Sequence, residues 1–159
     1  MGLKLFYALL LTIMPLTELR LGLPVAISYA IEEGVSISLI FSLVILLNIL
    51  LIFFIFYFLY HLHFYFMKIG FYRKNFEFFL KKFQKKVDKF EKKHESLGFL
   101  ALVLFVAVPL PLTGAWSGCL VSWLLGLDRK KSILSISIGV IIAGLLVLMG
   151  TLGFINLFF

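Results

Sequence analysis

The chain carries little charge and almost no cysteine. Charged residues make up only 14% of its 159 residues, whereas hydrophobic residues make up 62%. An ordinary soluble domain has roughly 25% charged residues, so the composition excludes a soluble fold of this length. The single cysteine, Cys119, excludes an internal disulfide and a metal cluster built from cysteines. The composition is that of an integral membrane protein.

The sequence also lacks the residue groups that catalysis or cofactor binding requires. The segment around Cys119 contains no histidine that could act as its base. His61 and His63 are two residues apart, so on a helix they would point in different directions and would not bind a metal without other ligands. We therefore expect no metal, no cofactor and no enzyme activity.

The positive charge is concentrated in one part of the chain. The net charge is +7, and ten of the fifteen Lys and Arg residues lie between positions 68 and 93. Phe residues recur there at helical spacing, which predicts an amphipathic helix on the membrane surface. Four lysines of this helix are expected to contact anionic lipid, and they are Lys81, Lys82, Lys85 and Lys86. A solvated linker helix is the alternative, and nucleic acid is not an expected partner.

Apolar segments flank the basic helix on both sides, and two of them are interrupted in the same way. Residues 3–31 contain "MPLTELRLGLP" and residues 97–127 contain "VPLPLTG". Proline lacks an N–H group and blocks the continuation of a helix, so the chain is expected to turn at these places. The predicted breaks are the four prolines of the sequence, Pro15, Pro24, Pro109 and Pro111.

The basic residues predict which side of the membrane each segment faces. Basic stretches lie before and after residues 97–127, at positions 68–93 and 129–131. Short basic loops stay in the cytoplasm, so residues 68–96 and 128–131 are both expected on the cytoplasmic side of the cell membrane. The two apolar arms, 97–108 and 115–127, would reach about 18–20 Å as helices, which is less than the ~30 Å hydrocarbon core. A re-entrant helical hairpin satisfies both constraints.

The first half of the chain has the same shape as the second. If residues 3–31 also form a re-entrant hairpin and residues 35–66 cross the membrane, each half is a hairpin followed by a span, in opposite orientation. The sequence thus predicts an all-α membrane domain over residues 1–159. Residues 1–66 and 97–159 form two inverted repeats, and residues 67–96 form the linker helix between them. A single kinked crossing by residues 3–31 is the alternative.

Glu18 and Arg20 are the charged residues within the apolar segments, where each costs at least ~2.5 kcal/mol to insert. Such residues are usually functional, although the pair could also be a structural ion pair. Thr17 and Thr113 are predicted N-caps, so helices should begin near Glu18 and Ala115 with their positive ends at the membrane midplane. The predicted site comprises these residues together with Gly114 and Trp116. Asn48, inside the long apolar run, is expected to form an interhelical hydrogen bond.

Two longer stretches resemble a known family. "MPLTELRLGLPVAI" and "VAVPLPLTGAWSGCLVSWLLGLDRKKS" are similar to the small multidrug export family, chiefly through the motifs P-x-T-E-x-R and P-L-P-x-T-G-A-W. That family in turn resembles the DedA and VTT-domain proteins, which implies facing re-entrant hairpins and lipid or proton-coupled transport. Gly114 stands where the second half would need an acid matching Glu18, so a relay of two carboxylates is not expected.

Three functions remain open on the sequence. The first is a small proton- or ion-coupled transporter, with Glu18 as the carrier and Arg20 holding an anionic group of an unknown small molecule. The second is a lipid translocase or scramblase, and the third is a non-transporting membrane scaffold. One chain supplies few helices for a complete pathway, so a homodimer is expected.

The topology makes the first testable prediction. Single cysteines at Lys81, Lys130 and Glu33, introduced into a Cys119→Ser background, should be labelled by a membrane-impermeant thiol reagent from defined sides. Positions 81 and 130 should react from one side and position 33 from the other. The reason is that a re-entrant segment leaves the membrane on the side from which it entered. Labelling of Lys81 and Lys130 from opposite sides would contradict the hairpin at residues 97–127.

Overall fold

The computed structural model describes residues 2–15, 17–62, 70, 95–109 and 113–158. Pro111 and the predicted basic helix with its four lipid-contacting lysines lie outside the described residues. The described part contains no strand, so the predicted all-α fold is confirmed. We number its helices α1 Leu3–Ile13, α2 Glu18–Glu32, α3 Ile37–Tyr57, α4 Glu95–Ala107, α5 Ala115–Leu124 and α6 Arg129–Phe158. A π-helical turn, Phe58–Leu62, follows α3 directly.

Two of the helices are long and apolar enough to cross a membrane. They are Ile37–His61, with 25 residues, and Arg129–Ile155, with 27 residues. At 1.5 Å per residue each exceeds the ~30 Å hydrocarbon core. Large apolar side chains on α3 face outward, as Leu50 and Phe54 do with 55% and 61% of their surface exposed. Such a surface is stable against lipid rather than water, as expected for a membrane protein.

Helices α1 and α2 form an antiparallel hairpin. Near its tip, Gly22 lies so close to Thr12 that a Cβ atom on it would be 2.8 Å from the Thr12 Cα. At the open end, Gly2 lies beside Tyr29, and Lys4 forms an ion pair with Glu32. The two termini of this hairpin therefore lie at the same end of the molecule.

Helices α4 and α5 form a second antiparallel hairpin. Near the tip, α4 and α5 pack closely against each other, because a Cβ atom on Gly118 would lie 2.8 Å from a methyl group of Val106. At the open end, Gly98 at the start of α4 lies beside Leu127, which follows α5. Pro109 comes two residues after the last residue of α4, as a helix-ending proline should.

The long helices α3 and α6 run antiparallel and fix the orientation of both hairpins. Gly144 of α6 packs against Ile45 near the start of α3. At the other end, the guanidinium carbon of Arg129 lies 5.4 Å from the ring centre of Tyr60, just after α3. The open end of the α4–α5 hairpin shares this end, whereas α2 leads into α3 at the opposite end. The two hairpin tips thus approach each other from opposite ends.

One predicted break is wrong. Pro24 lies inside α2, and the helix continues through it to Glu32. The missing N–H group removes the bond that the carbonyl of Arg20 would accept, but this loss is local. The neighbours Leu23 and Ile27 are completely buried, so tertiary packing holds the helix on both sides of the proline. Pro15, in contrast, lies in the turn between α1 and α2, as predicted.

Helix α6 begins at Arg129, within the stretch 128–131 that was predicted to be cytoplasmic. Asp128 explains this start, because its Oδ1 accepts a hydrogen bond from the backbone N–H of Lys131 at 2.9 Å. Aspartate is a preferred N-cap residue, and this bond satisfies one of the free N–H groups of the first turn. The basic residues after it consequently lie on the first turn of α6.

Two glycines on different helices provide a test of this packing. Gly22→Ala should lower the free energy of unfolding by about 1–3 kcal/mol, because the new methyl group meets the backbone of Thr12. Gly98→Ala is the matched control, because its Cβ would meet its nearest described neighbour, Leu127, at an ordinary 3.7 Å. It should be neutral or slightly stabilising because alanine favours helix. Denaturant unfolding in detergent micelles measures both, and equal effects would contradict the close approach of α1 and α2.

Candidate functional site

The Glu18 carboxylate connects the two hairpin tips. It lies at the start of α2, is 5% exposed, and accepts hydrogen bonds from two backbone N–H groups at the start of α5. The N–H of Ala115 donates to Oε2 at 3.1 Å, and the N–H of Trp116 donates to Oε1 at 3.0 Å. First-turn N–H groups have no partner within their own helix, and the helix dipole favours negative charge there. Glu18 therefore caps a helix of the other hairpin.

Gly114 is the residue that makes room for this contact. A Cβ atom at position 114 would lie 1.3 Å from Oε2 of Glu18, so any side chain there would displace the carboxylate. The sequence predicted that Gly114 occupies the place matching Glu18 in the second repeat. The structure gives a physical reason for the difference, because the carboxylate of Glu18 fills the space that a second acidic side chain would need.

Arg20 also reaches the second hairpin. Its Nη2 donates to the hydroxyl of Thr113 at 2.7 Å and to the carbonyl of Val108 at 3.4 Å. In the described part of the chain, the ion pair within 4.0 Å joins Lys4 and Glu32, so Glu18 and Arg20 form no direct pair. Each of the two side chains is bonded to the second hairpin instead. Both charges face the break between α4 and α5.

The two threonines close the turns in the same manner. The hydroxyl of Thr17 donates to the carbonyl of Leu11 at 2.5 Å, and that of Thr113 donates to the carbonyl of Val108 at 2.8 Å. Thr17 is the N-cap residue of α2, as predicted, but its hydroxyl makes no capping bond, and the N-cap residue of α5 is Gly114 rather than Thr113. The helices nevertheless begin where predicted, at Glu18 and Ala115. Each threonine instead binds a carbonyl left free at the end of the preceding helix.

Trp116 provides another link between the hairpins. Its indole Nε1–H donates to the carbonyl of Ile13, the last residue of α1, at 3.0 Å. The same residue contributes a backbone N–H to Glu18. Trp116 is only partly buried, so its ring combines packing with a polar contact.

The backbone of Glu18 is itself unusual. Its φ angle is +45°, and it is the non-glycine residue with positive φ in the part of the chain that the structure describes. A residue in the left-handed region costs about 1–3 kcal/mol and persists only where the surroundings compensate for it. Such residues cluster at functional sites, so the strain supports Glu18 as the centre of this one.

Sequence reasoning missed the part that Asn48 has in the site. Asn48 was expected to bind another helix, but its Nδ2 donates to the carbonyl of Val44 in its own helix at 2.9 Å. It is 1% exposed and lines a small cavity together with Glu18. The signal in the sequence was a single amide in the middle of an apolar span. The spacing of residues along one helix could not reveal which hairpin it faces.

A double-mutant cycle tests the fit of Glu18 against Gly114. Gly114→Ala should cost about 3 kcal/mol or more of unfolding free energy, because the methyl group displaces the carboxylate from two charge-assisted bonds. In a Glu18→Ala background the same substitution should cost less than about 1 kcal/mol, since nothing remains to displace. Gly98→Ala, whose Cβ would meet its nearest neighbour at an ordinary 3.7 Å, is the control. Additive effects at positions 18 and 114 would contradict the contact.

Comparison with known proteins identifies the family. A profile of the family described as "Putative small multi-drug export protein" matches residues 18–146, which run from the start of α2 through α5 into α6. Neither a curated protein nor a solved structure matches the chain. Because the family profile covers well over half of the sequence, the chain belongs to the small multi-drug export protein family.

Proposed function

We propose that this protein is a small proton-coupled membrane transporter with its site at the midplane, between two facing re-entrant hairpins. The observation that carries the proposal is the contact of Glu18 with the first N–H groups of α5. A buried acidic group bound to a helix N-terminus occupies a place where an anion of the substrate could bind. The family description names drug export, and we extend it to small molecules that carry an anionic group.

Helix lengths support the re-entrant topology. The hairpin helices α1, α2, α4 and α5 have 11, 15, 13 and 10 residues. They would reach about 15–23 Å, which is less than the ~30 Å of hydrocarbon. In each hairpin, the start of the first helix and the end of the second helix also lie at the same end of the molecule. Backbone without helical bonds at the tips is tolerated at membrane depth because the two tips enclose each other.

The inverted repeat is supported by equivalent contacts in the two halves. Each half is a helical hairpin followed by a long apolar helix. In each tip a threonine hydroxyl binds the carbonyl of a residue five or six positions earlier. In transporters built from such repeats, the corresponding breaks form the substrate site. We place residues 68–96 and 128–131 in the cytoplasm, beside the cell membrane, on the basis of their positive charge.

The mechanism follows from the two forms of Glu18. As a carboxylate it accepts two N–H bonds and holds the tips together. When it takes up a proton, it loses the charge that the α5 N-terminus favours, and the two N–H groups become available to an anionic group. Arg20 contacts the second hairpin through Nη2, so a guanidinium with five N–H donors can also bind that group. Proton uptake and anion binding are thus coupled at one place.

A homodimer is part of the proposal. One chain contributes few helices to a pathway, and no described residue lies within 4 Å of where a Cβ atom would be at Gly150 and Gly153, in the second half of α6. Glycines at such positions allow a second copy to approach closely.

The test uses purified protein in liposomes, with a proton flux assay and a lipid scrambling assay run side by side. Glu18→Gln should abolish proton-linked flux while the protein stays folded, because glutamine keeps a carbonyl for the α5 N-terminus but carries no exchangeable acid proton. Glu33→Gln, an exposed carboxylate outside the site, is the matched control and should leave flux unchanged. Arg20→Lys should weaken the binding of an anionic substrate more than it affects folding, because lysine lacks the planar guanidinium that can bind an anion at two points.

The other two functions predict different results. Scrambling without any dependence on protons would favour a lipid translocase of the DedA or VTT type, and neither activity would favour a scaffold. A purely structural site predicts that flux follows stability in Glu18→Gln and in Arg20→Lys. It also predicts that the double variant Glu18→Gln/Arg20→Gln recovers stability. That pattern would overturn the transport proposal.

A further inference from the structure

Asn48 carries a buried acceptor that nothing in the described residues satisfies. Its amide Nδ2 donates to the carbonyl of Val44, but its Oδ1 is buried and has no hydrogen-bond partner. An unsatisfied polar atom in a buried position costs free energy, and most such atoms in proteins have a partner. The midpoint of an apolar membrane helix is an especially costly place for it. The acceptor therefore requires an explanation.

The same side chain borders a cavity at the hairpin tips. The cavity has room for about one water molecule. Glu18 and Arg20 line it from α2, Asn48 lines it from α3, and apolar residues close it from α4 and α6, namely Val106, Val140 and Ala143. Asn48 and the residue at the centre of the site thus border the same water-sized space.

The Glu18 carboxylate and the Asn48 Oδ1 cannot bond to each other while Glu18 is charged. A carboxylate only accepts hydrogen bonds, and so does the Oδ1 of an amide. Two such acceptors can be joined by a donor between them, such as a water molecule or the O–H of a protonated carboxyl group. A protonated Glu18 would itself supply that donor.

We infer that Asn48 Oδ1 is the acceptor for the proton that Glu18 carries, either directly or through one water molecule in the cavity. Asn48 is then a positioning residue for the neutral form of Glu18, as the α5 N-terminus is for the charged form. The inference rests on the proposed role of Glu18 as proton carrier. The inference adds a second partner for Glu18, because Asn48 on α3 accepts a hydrogen bond from the carboxyl group once that group has left the α5 N-terminus.

The other ionisable groups near Glu18 have partners elsewhere. Arg20, on the same helix, donates to Thr113 and to Val108 in the second hairpin. Cys119 of α5 is buried, with its Sγ 4.0 Å from the carbonyl of Ile52. The residues that line the cavity from α3, α4 and α6 are not ionisable in the part of the chain that is described. Among the described lining residues, Asn48 is thus the polar side chain that α3, α4 and α6 contribute, while Arg20 lines the cavity from the helix of Glu18 itself.

Infrared difference spectroscopy between low and high pH tests the inference on the full-length protein in lipid nanodiscs. The C=O stretch of protonated Glu18 is assigned as the band that Glu18→Gln removes. In Asn48→Leu this band should move to higher wavenumber, because the hydrogen bond of the acid is lost. The midpoint of its titration should fall by about one pH unit, a tenfold loss of proton affinity and the scale of one neutral hydrogen bond.

Ser122→Ala is the matched control. Ser122 is fully buried and its hydroxyl also lacks a partner, but it does not line the cavity, so this variant should leave the band and its titration unchanged. Asn48→Leu should fold, because it removes an unsatisfied polar group. If it does not purify, the smaller Asn48→Val serves for the same measurement.

The outcomes separate this inference from the proposed function. If Asn48→Leu leaves both the band and its midpoint as in the wild type while Glu18→Gln abolishes flux, the role of Asn48 is wrong and the transporter stands. If the band shifts as expected while the wild type moves neither protons nor lipid, the hydrogen bond stands and the transport proposal falls. A wild-type spectrum without any titrating Glu18 band would overturn the role of Asn48 outright.

Discussion

The arrangement of the hairpins depends on one buried carboxylate bound to one helix N-terminus. Inside a membrane, a carboxylate without a partner and first-turn N–H groups without partners are each costly. The contact of Glu18 with Ala115 and Trp116 removes both costs at once. It also joins two hairpins that enter from opposite ends of the molecule. The contacts of Arg20 and Trp116 also join the two hairpins and strengthen this connection.

The strength of this contact can be weighed against the strain next to it. The left-handed backbone of Glu18 costs about 1–3 kcal/mol. Two hydrogen bonds to a charged acceptor contribute about 1.5–3 kcal/mol each, so the charged form offsets the strain. A neutral acid forms weaker bonds, and the strain is then no longer clearly offset. In the proposed transport cycle, protonation of Glu18 would therefore weaken the contact that holds the two tips together.

The sequence predicted the fold class and the central residues, because those signals are local. Charge within an apolar run identified Glu18 and Arg20, and the proline–threonine pattern predicted helix starts at Glu18 and Ala115. The pairing of these residues across the hairpins could not be predicted, since it depends on contacts about 97 positions apart in the chain. Pro24 misled the prediction because a single lost backbone bond did not outweigh burial of its neighbours.

The departure of Gly114 from the repeat has a further consequence. If both breaks carried an acid, two carboxylates would compete for one space and one helix N-terminus, and like charges at that distance would repel. The chain resolves this conflict by keeping the acid in the first hairpin and the receiving N–H groups in the second. The proposed repeat is therefore asymmetric at its centre, although each half consists of a helical hairpin followed by a long helix. It follows that the proposed coupling involves one proton per chain. The first hairpin supplies the acid, and the second hairpin supplies the N–H groups that become free for the substrate when the acid leaves them.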